Sequence, residues 1–128
     1  MSLIKLPAGA GQHKTAGPYS PVLEIDGRKL VVISGQAPLD NEGRVIGQTI
    51  EEQARVTLDN CRRQFRTAGV ELDQVFKVNV YLTDLANWPK FNEVYKTYFT
   101  DPKPARTTIG AALLSDFLVE IEMWAVKE

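Results

Sequence analysis

The chain has 128 residues, 44% of them hydrophobic, with 15 basic against 16 acidic side chains and a formal net charge of −1. That describes one domain, residues 1–128, with enough apolar material for a core and no overall basic footprint for nucleic acid. One cysteine, Cys61, and one histidine, His13, exclude an internal disulfide, leave too few ligands for a zinc or iron centre, and would make any Ser-His-Asp triad depend on His13 alone. With no apolar run long enough to cross a membrane and no signal-peptide pattern, the expected setting is a reducing, cytoplasmic one.

Residues 1–16 are rich in Gly and Ala without a period and read as a loose N-terminal arm. Gly17-Pro18-Tyr19-Ser20 is a rigid turn that either presents Tyr19 to a ligand or tucks it into the core. Val22 to Ile25 and Lys29 to Ser34 read as a β-hairpin around Asp26-Gly27. Ser34-Gly35-Gln36 ends the second strand. It is either a backbone amide and hydroxyl aimed at a ligand or ordinary turn chemistry.

Thr49-Ile50-Glu51-Glu52 is a capping box, with Thr49 as N-cap and Glu52 three positions on. The helix it opens carries Ile50, Ala54, Leu58, Cys61, Phe65 and Ala68 at steps of three and four, and Gly69 stands where a C′ glycine belongs. Cys61 lies on that stripe and is expected in the core, not as a nucleophile. Arg55, Arg62, Arg63 and Arg66 make the outer side basic. With Glu51, Glu52 and Asp59 interspersed, a solvated face is the simpler reading than an RNA contact. Val75 to Leu82 is a strand with Phe76, Val78, Val80 and Leu82 on one face. Asn87-Trp88-Pro89 opens a second helix with the stripe Phe91, Val94, Tyr95 and Tyr98.

Two strands close the chain. Pro104 to Ile109 puts Arg106 and Thr108 on one side. In Leu118 to Val126, Val119, Ile121, Met123 and Ala125 alternate with Leu118, Glu120, Glu122, Trp124 and Val126. The order is ββαβαββ, an α+β layer with two helices on one face of a sheet. The other face, bearing Leu118, Trp124 and part of Leu30-Val31-Val32-Ile33, needs a cover, and a homo-oligomer follows as an expectation. Arg106 with Glu120 or Glu122 has two readings. One is an arginine that grips a substrate carboxylate beside a glutamate that moves protons. The other, favoured by spacing alone, is a structural salt bridge between strands.

Gly17-Pro18-Tyr19-Ser20, Ser34-Gly35-Gln36, Gln53-Ala54-Arg55 with Leu58 and Asn60, Asp84-Leu85, Phe91-Asn92 with Tyr95 and Phe99, Pro104-Ala105-Arg106-Thr107 and Glu120-Ile121-Glu122 occur in one order. This ordered set, from about Gly17 to Val126, resembles the Rid (reactive intermediate deaminase) family, also called YjgF or L-PSP. The resemblance implies a chorismate-mutase-like fold with a mixed sheet, and a homotrimer with ligand sites in clefts between subunits. It implies hydrolysis of small 2-imino acids, formed from enamines that pyridoxal-phosphate enzymes release, to 2-keto acids and ammonia, with no cofactor. Arg106 then matches the carboxylate-binding arginine and Glu120 the glutamate that positions or activates water. Tyr19, Ser34, Gly35, Asn92 and Thr108 match pocket positions, Thr108 standing where some members have cysteine. The segment Gly110 to Leu118 departs from the family's usual Leu-Pro pattern near the pocket rim. A non-catalytic trimer that binds small carboxylates through Arg106 is an alternative. An endoribonuclease is another, disfavoured by the weakly acidic balance.

Overall fold

Alternating apolar residues build the sheet and three-to-four spacing builds the helices. The computed structural model describes residues 3–128, so Met1 and Ser2 of the expected arm lie outside the described residues. The elements in chain order are β1 (Ile4–Lys5), β2 (Glu24–Ile25), β3 (Lys29–Gln36), α1 (Ile50–Arg66), β4 (Val75–Leu82), α2 (Trp88–Tyr95), β5 (Ala105–Gly110) and β6 (Val119–Lys127). The main sheet runs β3-β6-β4-β5. β6 is antiparallel to both of its neighbours and β4 is parallel to β5, which makes the sheet mixed.

Both helices lie on one face. Val119, Ile121, Met123 and Ala125 of β6 and Val78, Val80 and Leu82 of β4 are buried with Ala54, Leu58, Cys61 and Phe65 of α1 and Phe91 and Tyr95 of α2. Each large side chain in this layer contributes roughly 1.5–3 kcal/mol by leaving water. The capping box forms as expected: the Glu52 amide donates to Thr49 Oγ1 at 3.2 Å and the Thr49 amide to Glu52 Oε1 at 3.0 Å. The helix closes with Gly69 at φ +71°, its amide and that of Val70 donating back to Arg66 O and Phe65 O, the paired closure of a Schellman motif. Burial pushes the Cys61 thiol up to about 12, so the thiolate needed for nucleophilic chemistry is not formed near neutrality.

Four expectations are corrected. The hairpin of Val22–Ile25 with Lys29–Ser34 does not form. Glu24–Ile25 pairs instead with Ile4–Lys5, so the expected loose arm is tied down there by a short ladder. β3 pairs with β6 from Lys29↔Lys127 to Gln36↔Ile121; the nine-residue central strand offers more partners than a two-residue stub can. Leu118 packs against the helix-side core, its amide held by Gln53, and does not join the uncovered face. A register shift between Val75 and Lys77 sends Val75 fully inward and leaves Phe76 half-buried. The uncovered face keeps Leu30, 69% exposed, Val32, 59% exposed, and Trp124, while Val31 and Ile33 turn toward the helices.

Two buried polar side chains on α1 fix the loops at one end of the sheet. Gln53 donates to Gly47 O and Asp116 O at 3.1 Å each and accepts from the Leu118 amide at 2.7 Å. Asn60 donates to Ala37 O and Leu39 O at 2.8 and 3.0 Å. Gln53→Ala strips partners from three backbone groups at once. The urea midpoint should fall by the equivalent of about 1–3 kcal/mol; an unchanged midpoint would mean that solvent replaces all three bonds.

Candidate functional site

The residues singled out in the sequence fall into two clusters, one on each face of the sheet. The first is built around Arg106. Its position on β5 opposite Val78 turns it toward the helices, where the residue is only 8% exposed. Nη2 donates to Asn92 Oδ1 on α2 at 2.7 Å. Three rings surround the guanidinium carbon: Tyr95 at 4.7 Å, Tyr19 at 5.1 Å and Phe91 at 5.6 Å from their centroids. Tyr19 is brought there because its segment is stitched to the start of β5. Ser20 Oγ donates to Lys103 O at 2.5 Å, and the Ser20 amide donates to Pro104 O at 3.2 Å.

No carboxylate neutralises this guanidinium among the described residues. The ion pairs join Asp40–Arg44, Asp59–Arg62, Arg66–Glu71, Glu93–Lys96 and Asp101–Lys103. Burial pulls the Arg106 guanidinium below its ordinary value, opposed by Tyr95 and Tyr19. Nε and Nη1 are buried without a hydrogen-bond partner, and so is Thr108 Oγ1, two residues along the same strand and on the same side. A buried cation with unused donors costs several kcal/mol, of which cation–π contacts offset roughly 0.5–2 kcal/mol. The interstrand salt bridge to Glu120 or Glu122 does not form, because period two and the strand register place those carboxylates on the other face. The arrangement suits an external anion with planar oxygens, which a guanidinium grips with two parallel bonds.

The second cluster lies on the uncovered face. Glu120 stands opposite Tyr81 and Glu122 opposite Asn79. The Tyr81 hydroxyl donates to Glu122 Oε1; that bond, followed by desolvation and the charges of Glu122 and Glu120, raises the phenol above its ordinary value. β3 bulges between Ile33 and Gln36 as it passes this point. Gly35 sits so close that a Cβ there would displace the Glu120 carboxylate from its present rotamer, so glycine lets the acid stay against the strand. Ser34, exposed, precedes it, its carbonyl accepting from the Gln36 amide side chain at 3.0 Å. Gly35, Tyr81, Glu120, Glu122 and the loop 111–114 line one open cavity of about 580 Å³.

The structure thus unites Tyr19, Asn92 and Arg106, with Thr108 beside them, and separately unites Gly35, preceded by Ser34, with Glu120. Within one chain it does not bring Arg106 to Glu120. Tyr81 and Tyr95 were not singled out as site residues. Tyr81 had a signal, since it shares the strand parity of Asn79, while Tyr95 looked only like part of an apolar stripe. On α1, Arg62, Arg63 and Arg66 are engaged by Asp59, Asn60 and Glu71, and Arg62 lies over Tyr98 at 4.9 Å.

Comparison with known proteins gives a consistent picture. The family model described as endoribonuclease L-PSP matches residues 10–127. The mitochondrial protein mmf2 of Schizosaccharomyces pombe is 39% identical, covering 85% of this chain and 84% of its own. A RutC family protein of Pyrococcus abyssi is 38% identical, over 90% and 91%. The crystal structure of E. coli TdcF with bound serine superposes with a TM-score of 0.71 at 30% identity, over 88% of this chain and 94% of TdcF.

If Arg106 is held against its own solvation cost, removing the charge should not harm the fold. Arg106→Met should match or exceed the parent in urea midpoint. A loss of about 3–5 kcal/mol, the cost of breaking a buried ion pair, would show that the guanidinium is neutralised structurally after all.

Proposed function

The chain belongs to the endoribonuclease L-PSP family, the YjgF/Rid group, and we propose that it hydrolyses small 2-imino acids to 2-keto acids and ammonia. The observation that carries the reading is the buried, unpartnered face of Arg106 beside the unpartnered hydroxyl of Thr108, a ready seat for a substrate carboxylate. Serine bound in the TdcF structure is in keeping with a small amino-acid-like ligand.

In this reading Arg106, positioned by Asn92 and flanked by Tyr19, holds the carboxylate and Thr108 donates to it. Glu120 takes a proton from water as the water oxygen bonds to the imine carbon. The C=N π pair moves to nitrogen, which takes that proton back from Glu120; the carbinolamine's hydroxyl proton then passes through Glu120 to nitrogen as the C–N bond breaks, and ammonia leaves as the C=O forms. An imine carbon is already electrophilic, so orientation and one proton-moving group suffice. The two clusters lie on opposite faces of one sheet. A working site therefore takes Arg106 from one subunit and Glu120 from the next, in a homotrimer whose contacts cover Leu30, Val32 and Trp124. The exposure of Leu30 and Val32, with half-buried Trp124 opposite Val32, supports such a cover.

Trapping of imines with semicarbazide during dehydratase turnover should show faster imine loss with the parent. Glu120→Gln should lose on the order of 100-fold or more of that acceleration while binding 2-ketobutyrate nearly normally. Unchanged turnover removes Glu120 from the chemistry. Absence of turnover in the parent with tight 2-keto acid binding leaves a binding trimer, for which the Arg106 cluster alone is sufficient.

The composite site has its own test. Arg106→Met and Glu120→Gln, each inactive alone, should regain part of the parent activity when unfolded together and reassembled, because some clefts then pair two intact halves. No recovery in a mixed assembly of verified trimeric mass would refute a shared cleft.

A further inference from the structure

The cavity that holds Glu120 is lined by two unlike sets of residues. One is polar, with Glu120, Glu122 and Tyr81. The other is the loop Ala111-Ala112-Leu113-Leu114, four aliphatic residues in a row without a side-chain hydrogen-bonding group. Leu114 is 76% exposed, the most exposed of the large apolar residues among the described ones. That exposure does not reflect an untethered loop. At one end the Ala111 amide donates to Leu82 O at 2.9 Å. At the other, Phe117 is buried and its amide donates to Leu114 O at 3.2 Å, Gln53 Nε2 donates to Asp116 O at 3.1 Å, and the Leu118 amide donates to Gln53 Oε1 at 2.7 Å. Between them Ser115 takes φ +49°, an uncommon conformation for a residue with a side chain. The loop is anchored on both sides, and it holds a leucine in water beside the carboxylates.

We infer that residues 111–114 form the specificity wall of the proposed site and that Leu114 selects imino acids with aliphatic side chains of three or four carbons over short or polar ones. The inference rests on the carboxylate-binding reading above and adds to it the substrate class. A hydroxyl or amide seated against this loop would give up water and find no side-chain donor or acceptor on it. An alkyl chain would remove both itself and Leu114 from water, and each methylene buried improves binding about two- to fourfold. The direction of selection follows from the lining: with the reacting carbon at Glu120, the substituent is left to the aliphatic loop.

Calorimetric titration of pyruvate, 2-ketobutyrate, 4-methyl-2-oxopentanoate and 3-hydroxypyruvate into the parent and Leu114→Ser tests it. In the parent, affinity should rise with each added methylene, and 3-hydroxypyruvate should bind more weakly than 2-ketobutyrate. Leu114→Ser should weaken 4-methyl-2-oxopentanoate five- to tenfold and leave pyruvate within twofold, with the mass by light scattering unchanged. The same dependence on chain length in both proteins overturns the inference, and so does a change of mass on substitution, which would make Leu114 an assembly residue. Failure of the parent to bind any of the four would defeat the carboxylate-binding reading itself, a result distinct from uniform binding without chain-length preference.

Discussion

A cation without a counter-ion organises this molecule. Arg106 is almost wholly removed from water, yet its protein partners are one amide oxygen and three aromatic faces. Holding it there takes the parallel β4/β5 pair to aim the side chain inward, α2 to supply Asn92, Phe91 and Tyr95, and the Gly17–Ser20 segment to lay Tyr19 against it. Each of these elements is fixed by packing or by hydrogen bonds between neutral groups. The desolvation cost is met when the chain folds, so a carboxylate bound as proposed would meet donors already stripped of water and held in place. That is the condition under which a few charge-assisted bonds give useful affinity and orientation.

The same sheet that buries the cation isolates it from the chain's own acids. Glu120 and Glu122 alternate with Val119, Ile121 and Met123, and those apolar residues must face the helices. The carboxylates are thereby committed to the opposite side, where Tyr81 engages one and the bulge at Gly35 accommodates the other. Self-neutralisation of Arg106 would require inverting the parity of β5 or β6, and either change would place a row of core residues in solvent. The core enforces the charge separation, and the separation keeps Arg106 available to a ligand.

This explains what could be read from the residues and what could not. The helix from Ile50, its capping box, its closing glycine and its apolar stripe are local and periodic, and they appear as expected. So does the alternation in β6. The mistaken hairpin came from a local signal, Asp26-Gly27, that lost to a non-local pairing with a nine-residue central strand. The salt bridge suggested between Arg106 and Glu120 or Glu122 failed for a related reason. Period two tells which residues of one strand share a face, but the relative parity of two strands depends on the register each adopts with β4, and no single segment contains that information. Gln53 and Asn60 carried a weaker signal that was available: with Thr57 they recur at steps of four and three beside the apolar stripe, where a merely solvated helix face has no need of uncharged amides.

The loop contacts of Gln53 connect the fold to the proposed chemistry. Its side chain binds the 111–118 loop at Asp116 and Leu118 and the 37–48 loop at Gly47, and Asn60 holds the latter again through Ala37 and Leu39. Both loops border the end of the sheet where Gly35 meets Glu120. A cavity walled by loops keeps its shape only if the loops are tied to something rigid, and here the tie is one face of α1, itself locked into the core by Leu58, Cys61 and Phe65. The buried amides of α1 thus act at a distance on the acid end of the site, as α2 acts directly on the cationic end. The two helices, packed on the same face of the sheet, set the geometry of groups that emerge on both.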